Sequence, residues 1–203
     1  MSQIVLPLEM RRSGDAARIV VGPANSGAID ALGNPANWPF RTAVLSGPPR
    51  SGKSLLARWF AARGQGEVID GADSTDETAL FHRWNRAQQD GRPLLLVIDG
   101  EHWDIALPDL RSRMGAALQL AIGAPDDEMV AALIEAHAEQ RGLALGDGAL
   151  TYLVPRATRS FAAIERLVAT IGRLSLERKV PATQSIWRDA LEAIEGPRQA
   201  RLL

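Results

Sequence analysis

The sequence predicts an α/β fold: a parallel sheet with crossover helices, followed by an all-helical segment. Three observations predict it. Short apolar runs alternate with segments of helical period up to about residue 123, the pattern of a mainly parallel sheet with right-handed crossovers. The first of these runs stops at a glycine-rich turn, GPPRSGKS at 47–54. Beyond Pro125 every segment has helical period and none reads as a strand, so that part is a small helical bundle. The expected division is a tail at 1–22, an α/β base at 23–123 and a helical part at 124–203.

The elements follow in order. The tail ends in a short extended segment, RIVVG. ANSGAIDAL makes a short helix, stopped by Gly33 and Pro35. RTAVLSG (41–47) is a buried strand and SLLARWFAAR (54–63) a helix. EVIDGAD (67–73) is a second buried strand, with Asp70 where it should end. DETALFHRWNRAQQD (76–90) is an amphipathic helix with Ala79, Leu80, Trp84 and Ala87 on one face. PLLLVIDGEHW (93–103) and ALQLAIG (117–123) are the third and fourth strands. DDEMVAALIEAHAEQRG opens with acids and closes at Gly142, a well-signalled helix. GDGALTYLVPR, RSFAAIERLVATIGRLSLERK and TQSIWRDALEAIEG supply the remaining helices. Trp59 and Trp84 are expected in the core and Trp187 inside the helical part. Trp38 suits either packing or the base-binding end of a nucleotide site.

Composition narrows the function classes. Of 203 residues, 46% are hydrophobic and 23% charged, as in ordinary globular proteins. Lys plus Arg is 23 against 24 Asp plus Glu, a net charge of -1, which is not the balance of a strongly basic nucleic-acid binder. There is no cysteine, which excludes disulfides, thiol catalysis and cysteine zinc sites. His82, His102 and His137 make no metal-spaced pair. The N-terminal apolar run is short, contains Pro7 and ends at Glu9, unlike a secretory signal. No run approaches the ~20 apolar residues of a membrane span. The expectation is a cytoplasmic protein with no membrane partner.

GPPRSGKS matches G-x-x-x-x-G-K-[ST] in full, after a strand and before a helix. Gly47, Pro48, Pro49, Arg50, Ser51, Gly52, Lys53, Ser54 and Leu55 are therefore the candidate nucleotide contacts. The glycines let backbone N–H groups turn toward phosphate oxygens. Lys53 would reach the β- and γ-phosphates, Ser54 would coordinate Mg²⁺, and the helix N-terminus adds positive potential. A glycine-rich turn that binds nothing is the bland alternative, and the full motif in this context argues against it. The acid that would hold Mg²⁺ is either Asp70 or Asp99, each at the end of an apolar run. The residues alone do not choose between them, since aspartate also commonly ends a strand and starts a turn.

With these motifs in place, the chain resembles the AAA+ ATPases of the DnaA clade, and within them the Hda group of small DnaA-like regulators of bacterial replication initiation. QIVLPL in the tail resembles that group's sliding-clamp-binding motif, and GPPRSGKS its Walker A. LPDLRSRM (107–114) resembles the arginine-finger segment. The last part resembles the AAA+ helical lid, with TRSFAAIERL (158–167) at the start of the sensor 2 helix. The resemblance covers nearly the whole chain. It implies that EVIDGAD is Walker B, with Asp70 and Ser54 on Mg²⁺, and that PLLLVID is the sensor 1 strand. It implies that Arg113 is an arginine finger acting in trans and Arg159 the sensor 2 arginine. A solvated helix arginine is the alternative for each. It also implies that Gln3, Ile4, Leu6 and Leu8 dock on the β sliding clamp of DNA polymerase III, by anchors on an extended segment. The alternative there is a strand on the sheet edge.

Three departures from the family pattern carry consequences. The second Walker B acid is replaced by Gly71, and Asp73 lies two residues further on. Asp99 stands where sensor 1 offers a neutral polar side chain, and a carboxylate there repels a γ-phosphate unless it is protonated or holds a cation. Both argue against fast ATP hydrolysis and are compatible with binding of ADP or ATP. Only GQGE separates the P-loop helix from Walker B, so one strand and helix are missing. The expected base is a compact AAA+ sheet of four parallel strands in the order 5-1-4-3, followed by the helical lid.

The chain stops at GPRQARLL, soon after the lid, so no DNA-reading domain is expected and DNA contact should be indirect, through the clamp. The leading expectation is a regulator that binds clamp and nucleotide and promotes hydrolysis of DnaA-bound ATP through Arg113, with little or no hydrolysis of its own. The alternatives are a stand-alone P-loop NTPase or kinase, and a clamp-binding scaffold with a vestigial nucleotide site. A homo-oligomer is left open.

Overall fold

The computed structural model describes residues 19–195. The tail positions Gln3, Ile4, Leu6 and Leu8 lie outside the described residues, and nothing structural bears on them. The chain divides into two compact units, Met1–Gly123 and Ala124–Leu203.

The first unit is built on four parallel strands: β1 (Thr42–Ser46), β2 (Glu67–Asp70), β3 (Leu94–Val97) and β4 (Leu118–Ala121). Their spatial order is β4-β1-β3-β2, which is the expected 5-1-4-3 arrangement renumbered along the chain. Val44 of β1 lies opposite Leu96 of β3 on one side and Gln119 of β4 on the other, and Ile69 of β2 lies opposite Leu96. The central strands β1 and β3 are buried from Thr42 to Leu45 and along all of Leu94–Val97, as their unbroken apolar runs require.

Four helices flank this sheet: α1 (Ser26–Gly33), α2 (Lys53–Ala62), α3 (Glu77–Gln89) and α4 (Pro108–Ala116). α3 starts because Asp76 caps it, its carboxylate accepting from the Ala79 N–H at 2.8 Å. α4 starts with Pro108 at its first turn, where a missing N–H is harmless. Leu80, Trp84 and Ala87 of α3 pack with Leu110 and Met114 of α4 against Leu94 and Leu96. On the other side Trp38 stacks on Phe60 at 5.3 Å and donates its indole N–H to the Ala31 carbonyl at 2.8 Å. Trp38 is thus packed into the core of this unit.

Two expectations need correction. EVIDGAD is not a buried strand: β2 has a single neighbour, no residue of it is fully buried and Asp70 is exposed. With no outer strand beyond it, β2 is the sheet edge. Ala79 is exposed, because the buried stripe of α3 runs through 80, 84 and 87.

The second unit contains α5 (Asp127–Gln140), α6 (Ala149–Leu153), α7 (Phe161–Arg178) and α8 (Gln184–Glu195). Asp126 caps α5 by accepting from the Met129 N–H at 2.9 Å, with Asp127 and Glu128 in the first turn, where negative charge complements the helix dipole. Val130 and Ile134 of α5, Leu153 of α6, Ile164, Val168 and Ile171 of α7, and Ile186 and Trp187 of α8 form one apolar cluster. Among the described residues no helix is long and apolar enough to cross a membrane.

Candidate nucleotide-binding site

The loop after β1 is set by close approaches rather than by side chains. Gly47 donates its N–H to the Gly100 carbonyl at 3.0 Å. Its φ is +151°, and a Cβ there would lie 2.9 Å from Ile122 Cβ and 3.1 Å from the Ile122 carbonyl oxygen. Only glycine lets the strand end pass this close to the end of β4. At the other end of the loop, Gly52 has φ +90° and precedes α2. The first α-helical bond of α2 runs from the Leu56 N–H to the Gly52 carbonyl at 2.9 Å, so the N–H groups of the preceding turn lack a helical acceptor. Such groups, with the helix dipole behind them, form an anion-binding end.

Lys53 is 6% exposed, and its ammonium donates to the Gly47 carbonyl at 2.7 Å and the Pro48 carbonyl at 3.2 Å. A buried ammonium needs oxygen partners, and here the loop's own carbonyls provide them. Ser51 is buried too, and its hydroxyl has no hydrogen-bond partner among the described residues. Ser54 is exposed and Leu55 half-buried on the first turn of α2, while Pro48 is half-buried and Pro49 and Arg50 are exposed at the crest. An orphaned hydroxyl, a buried ammonium on a glycine-framed loop and an open helix end fit a phosphate group.

The acids lie at the same, C-terminal end of the sheet. Asp70 ends β2, in register with Val97. Gly71 follows with φ +73°, a left-handed conformation that an ordinary side chain adopts only with strain. Asp73 is half-buried and accepts from the Asp99 N–H at 3.0 Å. Asp99 is exposed. Among the described residues no three His, Asp or Glu side chains gather as a metal cage. Mg²⁺ does not require one, since it is usually held by one or two carboxylates together with substrate phosphates. The set Ser54 and Asp70 suits that mode.

The two candidate arginines sit in different surroundings. Arg113 is half-buried in the last turn of α4, its guanidinium carbon 4.2 Å from the Trp84 ring centroid and 4.9 Å from that of Phe81. Its Nε is buried without a hydrogen-bond partner. It is thus not the plain solvated arginine of the alternative. Arg111 instead folds back and donates from Nε to the Ile105 carbonyl at 2.7 Å. Arg159, just before α7, is exposed and pairs with Asp127 at 2.8 Å. An exposed pair of this kind contributes about 0–1 kcal/mol.

No family model matches the sequence. Over 136 residues the chain is 32% identical to the chromosomal replication initiator protein DnaA of Thermus thermophilus, which covers 66% of this chain and 31% of that protein. The chain thus matches about a third of the length of the curated relatives. Among solved structures it superposes on domain III of the Thermotoga maritima replication initiation protein DnaA with a TM-score of 0.71 at 15% identity, covering 88% of this chain and 95% of that one. The fold is that of a DnaA-like AAA+ domain. AMPPCP-bound DnaA from Aquifex aeolicus is also similar, with a TM-score of 0.58 at 19% identity over 79% of this chain and 66% of that one.

Motif reading missed two parts of this site. Phe81 and Trp84 were legible as helix residues three apart, which share a face, but nothing local said that Arg113 lies over them. Asp73 stood out only as an acid displaced from the expected position. Its bond to residue 99 spans β2 and β3 and has no local signature.

Proposed function

We propose that this chain is a nucleotide-holding regulator of replication initiation that acts on DnaA. The observation that carries this reading is Gly71. A left-handed glycine directly after Asp70 leaves no carboxylate where a second Walker B acid would stand, so the loop is suited to hold ADP or ATP rather than to hydrolyse it. The exposed Asp99 carboxylate disfavours a γ-phosphate in the same direction.

On this reading Lys53 turns from the Gly47 and Pro48 carbonyls to the β- and γ-phosphates, and the first-turn N–H groups of α2 take the remaining oxygens. Ser54 and Asp70 would hold Mg²⁺, which supplies neutralisation of phosphate charge when bound. Arg159 is the sensor 2 arginine of the helical unit. Arg113 acts in trans at a nucleotide held by DnaA, where it stabilises charge on the transferring phosphoryl group. Such a finger raises the rate by roughly 10³–10⁵ in well-studied cases. Gln3, Ile4, Leu6 and Leu8 bring the chain to the sliding clamp, and thereby to DNA.

The test is DnaA ATPase assayed with clamp, DNA and this protein. Stimulation that vanishes in Arg113→Ala and in a variant with Leu6 and Leu8 changed to Ala supports the regulator. Stimulation that survives Arg113→Ala removes the finger from it. Rapid ATP turnover by the purified chain alone would instead make it a self-contained NTPase.

A further inference from the structure

We propose that Asp73 is a positioning residue for the phosphate-binding loop, acting through the end of β3; the inference rests on the nucleotide-site reading above. β2 is a four-residue edge strand paired only with β3, so its end has few anchors. After Asp70 the chain turns through Gly71 into a short 3₁₀ turn, Ala72–Ser74. That turn is closed by Ser74 N–H to the Gly71 carbonyl at 3.1 Å and by the Thr75 hydroxyl to the same carbonyl at 3.1 Å. Ala72 plugs it into the core at 0% exposure.

The turn brings the Asp73 carboxylate to the neighbouring strand. Oδ2 accepts from the Asp99 N–H at 3.0 Å. On one side of Asp99, Ile98 donates to the Leu45 carbonyl of β1 at 3.1 Å. On the other, the Gly100 carbonyl accepts from the Gly47 N–H at 3.0 Å. A continuous set of contacts therefore runs from the end of β2, across the end of β3, to the first residue of the loop. Removing Asp73 leaves the Asp99 N–H without this acceptor and frees the segment that pins Gly47.

The other carboxylate oxygen, Oδ1, is buried with no hydrogen-bond partner among the described residues. A buried unpaired oxygen is unfavourable, so packing alone would favour an apolar side chain here. The bond to Asp99 gives the carboxylate a positional reason to be there.

The experiment is amide hydrogen exchange on the full chain for Asp73→Ala, Asp73→Asn and Thr75→Ala, with ADP affinity measured alongside by calorimetry. Asp73→Ala should speed exchange at Asp99 and at Gly47 and weaken ADP binding, each by about fivefold, the factor that one net hydrogen bond is worth. Asp73→Asn keeps an acceptor and should restore both. Thr75→Ala loosens the turn that carries Asp73 but keeps its carboxylate, so it should shift Gly47 exchange and ADP affinity in the same direction by clearly less than Asp73→Ala does. Unchanged Gly47 exchange in Asp73→Ala overturns the proposal, as does an equal loss in Thr75→Ala or unchanged ADP affinity in Asp73→Ala. If the wild-type chain binds no ADP, the nucleotide reading fails and exchange at Gly47 alone decides whether Asp73 positions the loop.

Discussion

The guanidinium carbon of Arg113 lies 4.2 Å from the centroid of the Trp84 ring. That ring is itself fixed, because its indole N–H donates to the Thr42 hydroxyl of β1 at 3.1 Å. The finger candidate is therefore referenced, through one aromatic side chain, to the strand that leads into the P-loop.

The first prediction follows from this contact. Arg113→Met keeps the apolar stem and removes the cation, so it should lower stability by about 0.5–2 kcal/mol, the range of a cation–π contact. Denaturant unfolding measures it. An unchanged midpoint would mean that the stacking contributes nothing.

Lys53→Ala removes the donor from the Gly47 and Pro48 carbonyls and the cation from the loop. We expect ADP affinity to fall more than about tenfold, the loss of a charge-assisted contact. Calorimetry with and without Mg²⁺ reads it. Equal affinity in wild type and variant would favour a vestigial site.

Gly47→Ala drives a methyl group to 2.9 Å from Ile122 Cβ. The ends of β1 and β4 must then separate, at a cost of about 1–3 kcal/mol by analogy with overpacked cores. Urea unfolding of the purified variant checks this. A loss below about 0.5 kcal/mol, as at an ordinary surface site, would show that the approach relaxes freely.

Gly71→Asp places a carboxylate next to Asp70 and forces it to a φ of +73°. The left-handed backbone should cost about 1–2 kcal/mol. If the missing acid is what limits turnover, intrinsic ATP hydrolysis should rise, toward the 10²–10⁴ that a positioned general base contributes. Destabilisation with no rise in turnover would place the limitation elsewhere.

In the helical unit, a hydrogen bond from Arg178 holds the Asp189 carboxyl below its ordinary value; partial desolvation opposes this, and the charges of Arg178 and Arg188 add to it. The folded value is depressed, so the stabilisation is present above the ordinary carboxylate value, about 3.9, and is lost as pH falls through the folded value. Carboxyl NMR titration should find the midpoint below that value, and Arg178→Gln should raise it. A midpoint that does not move would detach Asp189 from Arg178.

Local and contiguous features were legible in the sequence. GPPRSGKS marks the candidate phosphate loop because the motif is one unbroken stretch of chain. Asp126 announces α5 because a cap bonds three residues ahead. The absence of an outer strand followed from chain length, since GQGE is too short to hold one. The half-buried state of β2 was not legible. EVID has only a two-residue apolar centre, Val68 and Ile69, between two acids, and how far that centre is covered depends on what lies beside it. The Ala79 error has a similar source, for one turn of a helix can carry an apolar residue just off the packed stripe.

The sequence by itself determined the order of elements, the candidate phosphate loop and the candidates Lys53 and Ser54, while Asp70 over Asp99, and Arg113, came only from the family resemblance. Only the tertiary structure decided that Asp73 reaches Asp99, that Gly47 must pass against Ile122, and that Arg113 rests on Phe81 and Trp84. These pairs are 26, 75 and about 30 residues apart. The first two meet because parallel strands, each returned by a crossover, bring their C-terminal ends to one edge; the third meets at the other edge, beside Thr42 at the start of β1, where α3 and α4 pack together, and no local pattern encodes which of these partners become neighbours.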